Sequence, residues 1–292
     1  MYKKIKQKIK KKYLIIKCKN LLKNNNYEKK LKKWYKIKTN GEILDLKNPK
    51  NFNQVIQKLK LYDNNASKTA LVDKYLMRDK VKKEYGNKYL PLLIGVWNKF
   101  NEINYADLPN SFVLKCNHGS GWNEIVKDKS KWNMIEAKKK FNYWLKLNYA
   151  YLNGFEMQYK NIKPKIICEE YLGDNIIDCQ VYCSKGDILF ISYIESPHGV
   201  NEKKSFDENW NELDFITSEP RLEGNIKKPK NLNEIIKISK DISKDYKFIR
   251  VDFYILEDGT IKISEFTFTP ASGLLRWNPP NINAEMKDKI KL

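Results

Sequence analysis

The chain has 292 residues, enough for about two domains of roughly 150 residues each, and its 7 Trp, 18 Tyr and 12 Phe can furnish a sizeable core. No apolar run approaches the ~18 residues of a membrane-spanning helix, and five cysteines (Cys18, Cys116, Cys168, Cys179, Cys183), without a C-x-x-C pair, point to reduced structural thiols and away from a zinc site. The formal net charge of +21 rests on 56 basic residues of which four are Arg (Arg78, Arg221, Arg250, Arg276), so it admits two readings, attraction to a polyanion or a Lys-rich coding bias.

Residues 1 to about 40 are Lys-rich, with Ile5, Ile9 and Tyr13 at helical spacing. They read as a solvated basic helix, with contact to an acidic membrane surface as the alternative. The apolar stretch Tyr13-Leu14-Ile15-Ile16 is too short for a secretion signal. Breaks at 24–26 and 39–41 precede a short helix over Phe52 to Tyr62. A longer helix is predicted from Ser67, as N-cap, to Tyr85, with Gly86 as its stop and Leu71, Tyr75 and Leu76 toward the core. It would carry Lys74 and Arg78 on one face, a like-charge pair that suits either phosphates or a solvated surface.

A strand from Phe112 to Cys116 runs into Asn117-His118-Gly119-Ser120-Gly121, a loop able to wrap phosphate oxygens or to be an ordinary turn. Residues 135–151 look helical. A short strand, Ile166 to Cys168, leads into Glu169-Glu170-Tyr171-Leu172-Gly173. Strands 179–182 and 188–193 flank a turn at 184–187, and a helix near Leu232 to Asp245 precedes two last strands. The mixture reads as α+β.

Those two strands, 248–255 and 261–268, are separated by Asp258-Gly259, a strong hairpin signal. Pairing Glu257 with Thr260 sets Asp252 opposite Glu265 and Arg250 opposite Thr267. Alternation places Ile249, Val251, Phe253, Ile255, Phe266 and Phe268 on a core face and the four polar residues on the other. Two facing carboxylates repel unless a cation lies between them, and Mg²⁺ takes such carboxylates together with phosphate oxygens. In the alternative arrangement the face is solvated and Arg250 neutralises both acids.

In order along the chain, four stretches resemble the ATP-grasp superfamily and, within it, the TupA-like branch associated with teichuronopeptide and capsular polysaccharide synthesis. They are residues 73–78 (DKYLMR), 108–121 (LPNSFVLKCNHGSG), 169–173 (EEYLG), and 250–253 (RVDF) through 265–273 (EFTFTPASG). The resemblance implies an α+β ATP-grasp fold in which two subdomains clasp ATP. Residues 66–168 would form the small subdomain with the phosphate loop and 169–292 the large one with the metal-binding hairpin. Residues 1–65 would be a basic, mostly helical extension, too short and Lys-rich for the family's usual N-terminal domain.

The resemblance also assigns roles. Lys115 would contact the α-phosphate and adenine side, with Lys74 as its partner and Arg78 near the phosphates. Residues Glu169, Glu170, Tyr171 and Leu172 would be the adenine hinge, and Asp178 the acid for the ribose hydroxyls. His118, Gly119, Ser120 and Gly121 would close over the β- and γ-phosphates. Asp252 and Glu265 would hold Mg²⁺, with Thr267 where many relatives have Asn. Arg250 would neutralise the transferring phosphoryl group, and Ser272 and Gly273 would border the acceptor. The implied activity is an ATP-dependent carboxylate–amine ligase working through an acyl phosphate, with a uronic acid in a surface polysaccharide as substrate. Such an enzyme would be cytoplasmic or peripheral at the membrane and need no specific nucleic acid. A metal-dependent glycosyltransferase is the rival enzyme, although the sequence has no Asp-x-Asp run, and a polyanion-binding protein is the non-enzymatic rival.

Overall fold

The computed structural model describes residues 13–16, 18, 26–196 and 199–292. The predicted spacing of Ile5 and Ile9 lies outside them. In chain order the helices are α1 (Tyr27–Lys38), α2 (Phe52–Tyr62), α3 (Ala66–Val72), α4 (Met77–Glu84), α5 (Met134–Trp144), α6 (Leu232–Ser243) and α7 (Ile282–Asp288). The strands are β1 (Leu93–Trp97), β2 (Phe112–Cys116), β3 (Asn123–Val126), β4 (Ile166–Glu170), β5 (Ile177–Ser184), β6 (Asp187–Glu195), β7 (Glu202–Phe206), β8 (Glu212–Leu213), β9 (Ile216–Thr217), β10 (Ile249–Ile255), β11 (Ile261–Thr267) and β12 (Trp277–Asn278). The α+β expectation is met. No helix of the described residues is long and apolar enough to cross a membrane.

The chain divides into two compact units, each assembled from three separate stretches. Of the described residues, those up to 37, 64–77 and 92–171 make the first; those of 38–63, 78–91 and from 172 on make the second. This division interleaves the chain instead of following boundaries at 65 and 168.

The first unit is built on an antiparallel sheet of order β1-β4-β2-β3. Its core joins Phe112, Leu114, Ile166 and Cys168 of the sheet to Ala137 and Phe141 of α5. Asn133 starts α5 by accepting from the Glu136 N–H, and the helix ends at Trp144 instead of reaching Tyr151.

The second unit is built on an antiparallel sheet of order β11-β10-β5-β6-β7-β8. Between β5 and β6 the turn residues Lys185 and Gly186 both have positive φ, as a two-residue hairpin turn requires. Helix α6 packs on β5, β6 and β10 through Ile235, Ile238 and Ile242. On the opposite face, Phe52, Val55, Ile56 and Leu59 of α2 pack with Tyr182, Phe190, Phe248 and Trp277. The helix at 52–62 forms as predicted; its partners lie far along the chain, Asn53 and Trp277 being separated by 224.

The helix predicted over 67–85 is two helices. The N-cap is Asn65, two residues before Ser67; its side chain accepts from the Lys68 N–H and starts the helix at Ala66. It then breaks at Asp73, whose backbone is extended and whose Oδ1 accepts from the N–H groups of Tyr75 and Leu76. A short carboxylate that captures nearby N–H groups competes with the helix for them. The break leaves Leu76 45% exposed, with Lys74 in the turn between the two helices and Arg78 on α4, in different units.

Candidate nucleotide and metal site

Strands β10 and β11 place Asp252 opposite Glu265 and Arg250 opposite Thr267, the predicted pairs. The route there differs from the prediction. Leu256 donates to Thr260 O at 2.9 Å and Gly259 to Leu256 O at 2.8 Å, so the connection is one residue longer than a two-residue turn. Ile255 therefore faces Ile261 and Phe253 faces Ile263. The register shifts again between Phe253 and Asp252, with Ser264 as the extra residue of a β-bulge. The bulge turns Ile261 and Ile263 into the same core as Phe266, while Glu265 keeps its place opposite Asp252.

Arg250 lies between the two acids. Its Nε donates to Asp252 Oδ1 at 2.6 Å and one terminal nitrogen to Asp252 Oδ2 at 2.5 Å. The same terminal nitrogen stands 3.5 Å from Glu265 Oε1 and 3.4 Å from Thr267 Oγ1. Thr267 in turn donates to Glu265 Oε1 at 3.2 Å. Asp252 is 2% exposed, so this is no solvated face, although the guanidinium does sit where the alternative arrangement put it. Burial pushes the Asp252 carboxyl up to about 7, against the pull of Arg250.

The polar face continues across the sheet, because Asp252 pairs with Gln180 of β5 and Tyr254 with Asp178. Gln180 Nε2 donates to Asp178 Oδ2 at 2.9 Å, while buried Asp178 Oδ1 has no hydrogen-bond partner among the described residues. Burial raises the Asp178 carboxyl. An orphaned buried acceptor beside a carboxylate pair fits a hydroxyl-bearing ligand.

No group of three or more His, Cys, Asp or Glu is gathered for a metal among the described residues. The oxygen donors that are present, two carboxylates and the Thr267 hydroxyl, still fit a hard divalent cation that fills its shell with phosphate and water. Both Asp252 oxygens are held by Arg250, so a cation there must compete with the guanidinium.

In the first unit, Lys115 at the end of β2 forms an ion pair with Glu169 of β4 at 2.6 Å, both side chains largely buried. Glu170 instead accepts from the Leu92 N–H at 2.7 Å. The two units meet in sequence between Tyr171 and Leu172. Past Lys115 the loop is anchored by Asn117, whose Oδ1 accepts from the Lys165 N–H at 2.7 Å and whose Nδ2 donates to Asp73 Oδ1 at 2.9 Å. Lys74 donates its backbone N–H to Asn117 O and its Nζ to Gly119 O, each over about 3 Å. Gly119 is pinned, since a Cβ there would stand 2.6 Å from the Trp122 ring, while Ser120 and Gly121 (φ +70°) form an exposed tip. His118 is buried between Asn117 Oδ1 and Trp144 O, and burial drops its imidazole from 6.5 to about 4.

The structure thus brings Lys74 to the glycine loop and places Arg250, Asp252, Glu265, Thr267 and Asp178 on one sheet face. Arg78 is buried in the second unit with a terminal nitrogen on Pro91 O at 2.6 Å. Ser272 and Gly273 follow β11 in a left-handed turn. Sequence reasoning missed Gln180, Asn117 and Asp73. Gln180 was the findable one: it is polar within the strand predicted over 179–182 and shares the face of Asp178 by simple alternation.

None of the curated proteins matches this sequence. Among solved structures, the L-amino acid ligase of Bacillus licheniformis is similar at 15% identity over 76% of this chain and 49% of its own, with a TM-score of 0.46. A D-alanine–D-alanine ligase of Bacillus anthracis complexed with ATP is similar at 20% identity over 76% of this chain and 65% of its own, with a TM-score of 0.45. An ATP-grasp ligase, PsnB, complexed with a minimal precursor, Mg and ADP is similar at 12% identity over 82% of this chain and 66% of its own, with a TM-score of 0.41. This chain spans less than two thirds of the length of each of them. The model of the TupA-like ATP-grasp family matches residues 54–291, most of the sequence, and this chain belongs to that family.

Proposed function

We propose that this chain is an ATP-dependent carboxylate–amine ligase that modifies a uronic acid during synthesis of an acidic surface polysaccharide. The observation that carries the reading is the facing pair Asp252 and Glu265, bridged by Arg250, in a chain of the TupA-like ATP-grasp family. The uronic acid rests on the association of that branch with teichuronopeptide and capsular polysaccharide synthesis. A net charge of +21 suits a polyanionic acceptor.

A substrate carboxylate oxygen attacks the γ-phosphorus of ATP, the bond to the bridging oxygen breaks, and ADP leaves. The amine nitrogen then attacks the carbonyl carbon of the acyl phosphate, phosphate departs, a proton is lost and an amide remains. Arg250 balances the charge of the phosphoryl group in flight, since positioning and charge neutralisation carry most of phosphoryl-transfer catalysis. Asp252, Glu265 and Thr267 would hold Mg²⁺, which would supply further neutralisation of phosphate oxygens. Asp178 accepts from a ribose hydroxyl through its orphaned oxygen. Lys115 and Lys74 face phosphate charge, the 118–121 loop lends its N–H groups, and backbone at 169–172 reads the adenine.

The test is a thermal shift with Mg-ADP or a non-hydrolysable ATP analogue, set against UDP- and CMP-linked sugars. Ligand at about 100 times its dissociation constant stabilises by about 2.7 kcal/mol. The expected result is a shift with the Mg-adenine nucleotide that Asp252→Asn weakens, followed by ADP release with uronic acids and amines. A shift with nucleotide sugars alone replaces the ligase by a glycosyltransferase. Binding of polyanions with no nucleotide shift removes the enzyme reading altogether.

A further inference from the structure

We propose that Lys60, together with Gln57 and Asn53, positions the acceptor site by holding the loop 272–275 that follows the metal-side strand. The inference rests on the ligase reading, in which Ser272 and Gly273 border the acceptor.

An amphipathic helix ordinarily presents apolar residues at i, i+4 and i+7 to the sheet that it covers. Beside the apolar stripe of α2 runs a second, polar one with that same spacing. Asn53, Gln57 and Lys60 are 8%, 0% and 1% exposed. All three address backbone carbonyls of one short loop. Asn53 Nδ2 donates to Leu275 O at 2.9 Å. Gln57 Nε2 donates to Ser272 O at 3.0 Å and Gly273 O at 2.7 Å. Lys60 Nζ donates to Ser272 O at 2.5 Å and to Gln57 Oε1 at 3.0 Å. A fully buried lysine is rare, and packing alone would be served better by an apolar residue.

The loop has a reason to need holding. Ala271 (φ 47°, ψ 31°) and Ser272 (φ 55°, ψ 28°) are consecutive left-handed residues, and neither is glycine. Side chains disfavour that conformation, which persists where the surroundings over-determine it and gathers at functional sites. Gly273 (φ 69°) completes the turn, and a Cβ on it would lie 2.5 Å from Gln57 Nε2. The turn begins two residues beyond Thr267, so its conformation sets where Ser272 stands relative to Glu265 and Thr267 on the same strand.

The experiment compares the full chain with Lys60→Met and with Lys60→Met/Ala271→Gly. ADP release is measured with D-glucuronate and D-galacturonate as the varied acids, alanine, glutamate or ammonium as the amine, and saturating Mg-ATP. Lys60→Met is expected to raise the KM for the acid by about tenfold while the KM for ATP stays within about twofold. Ala271→Gly, which admits the left-handed conformation freely, is expected to restore much of the loss. A merely structural loss of packing would not be rescued by glycine. An unchanged acid KM in Lys60→Met overturns the positioning role. Should that variant fail to fold, Gln57→Met, which removes two of the carbonyl contacts from a neutral side chain, meets the same criterion. A wild type that binds Mg-ADP yet releases no ADP with any acid overturns the ligase reading itself, and the acceptor assignment with it.

Discussion

Arg250 touches both acids of the hairpin, and it does so with a planar fork: two nitrogens on the two oxygens of Asp252, and one of them also near Glu265. Lysine offers a point charge that cannot meet both oxygens in parallel. Arg250→Lys is therefore expected to lower kcat by about 100-fold or more while the dissociation constant for Mg-ADP changes only a few-fold, with ADP release and titration calorimetry as the two readouts. Equal losses in both would remove its role in the phosphoryl step. His118 invites a different measurement. Its imidazole is held neutral in the fold, near 4, whereas the unfolded chain protonates it near 6.5. Between those values the unfolded state binds more protons, so stability contributed by the neutral ring is complete above 6.5 and lost as the pH falls toward 4. The loss is on the order of 3 kcal/mol. His118→Gln should flatten that part of the stability–pH curve in urea melts, and an unchanged slope would show that His118 is not the titrating group.

At the scale of elements, two short interruptions shape the candidate groups, one in each unit. The first is the bulge at Ser264. Apolar residues stand at 261 and 263, then at 266 and 268, one residue out of phase. That phase slip was legible in the sequence; a strict alternation carried from the Asp258-Gly259 turn passed over it, and the longer turn cancelled the error at Asp252. Deleting Ser264 should force either Ile261 and Ile263 or Phe266 and Phe268 to the polar face, costing more than about 3 kcal/mol, while Ser264→Ala stays within about 1 kcal/mol. Chemical denaturation of the two variants separates these outcomes. The second interruption is Asp73. A continuous amphipathic pattern across 67–85 hides it, because the residue that ends the helix is recognised only through its capture of two N–H groups and the Asn117 amide. Asp73→Ala is expected to cost about 2 kcal/mol or more and to loosen the glycine loop, seen as faster hydrogen exchange at 117–121. Local pattern thus gave β2, β4, β5, β6, β10 and β11, the facing acids and α2, whereas β1, β3, β7, β8, β9 and β12 went unread and contacts between distant stretches had no local signature. Lys60 reads in sequence as one of many lysines; only its neighbours distinguish it.

For the whole molecule, the interleaved chain means that neither unit is a continuous fragment. Residues 38–63 carry a helix that shields Tyr182, Phe190, Phe248 and Trp277 on the sheet of the second unit. Removing them should expose that aromatic cluster and leave an aggregating protein or one that binds hydrophobic dye, whereas replacing partly exposed Lys58 on the same helix by Ala should leave the melting temperature within a few degrees. Circular dichroism melts of both variants check the contrast. The same arrangement has a consequence in time. Asn53 meets Leu275 and Trp277, 222 and 224 residues further along, so α2 is synthesised long before the strands that will cover its buried face. The sheet of the first unit draws on nothing later than Tyr171 and can close while translation continues. A nascent chain therefore carries an uncovered amphipathic helix through most of its synthesis, the circumstance in which long-range topology slows folding and calls on chaperones. In ribosome-arrested chains, a protease should spare residues 92–171 early and cut at 52–62 until Trp277 has emerged from the exit tunnel.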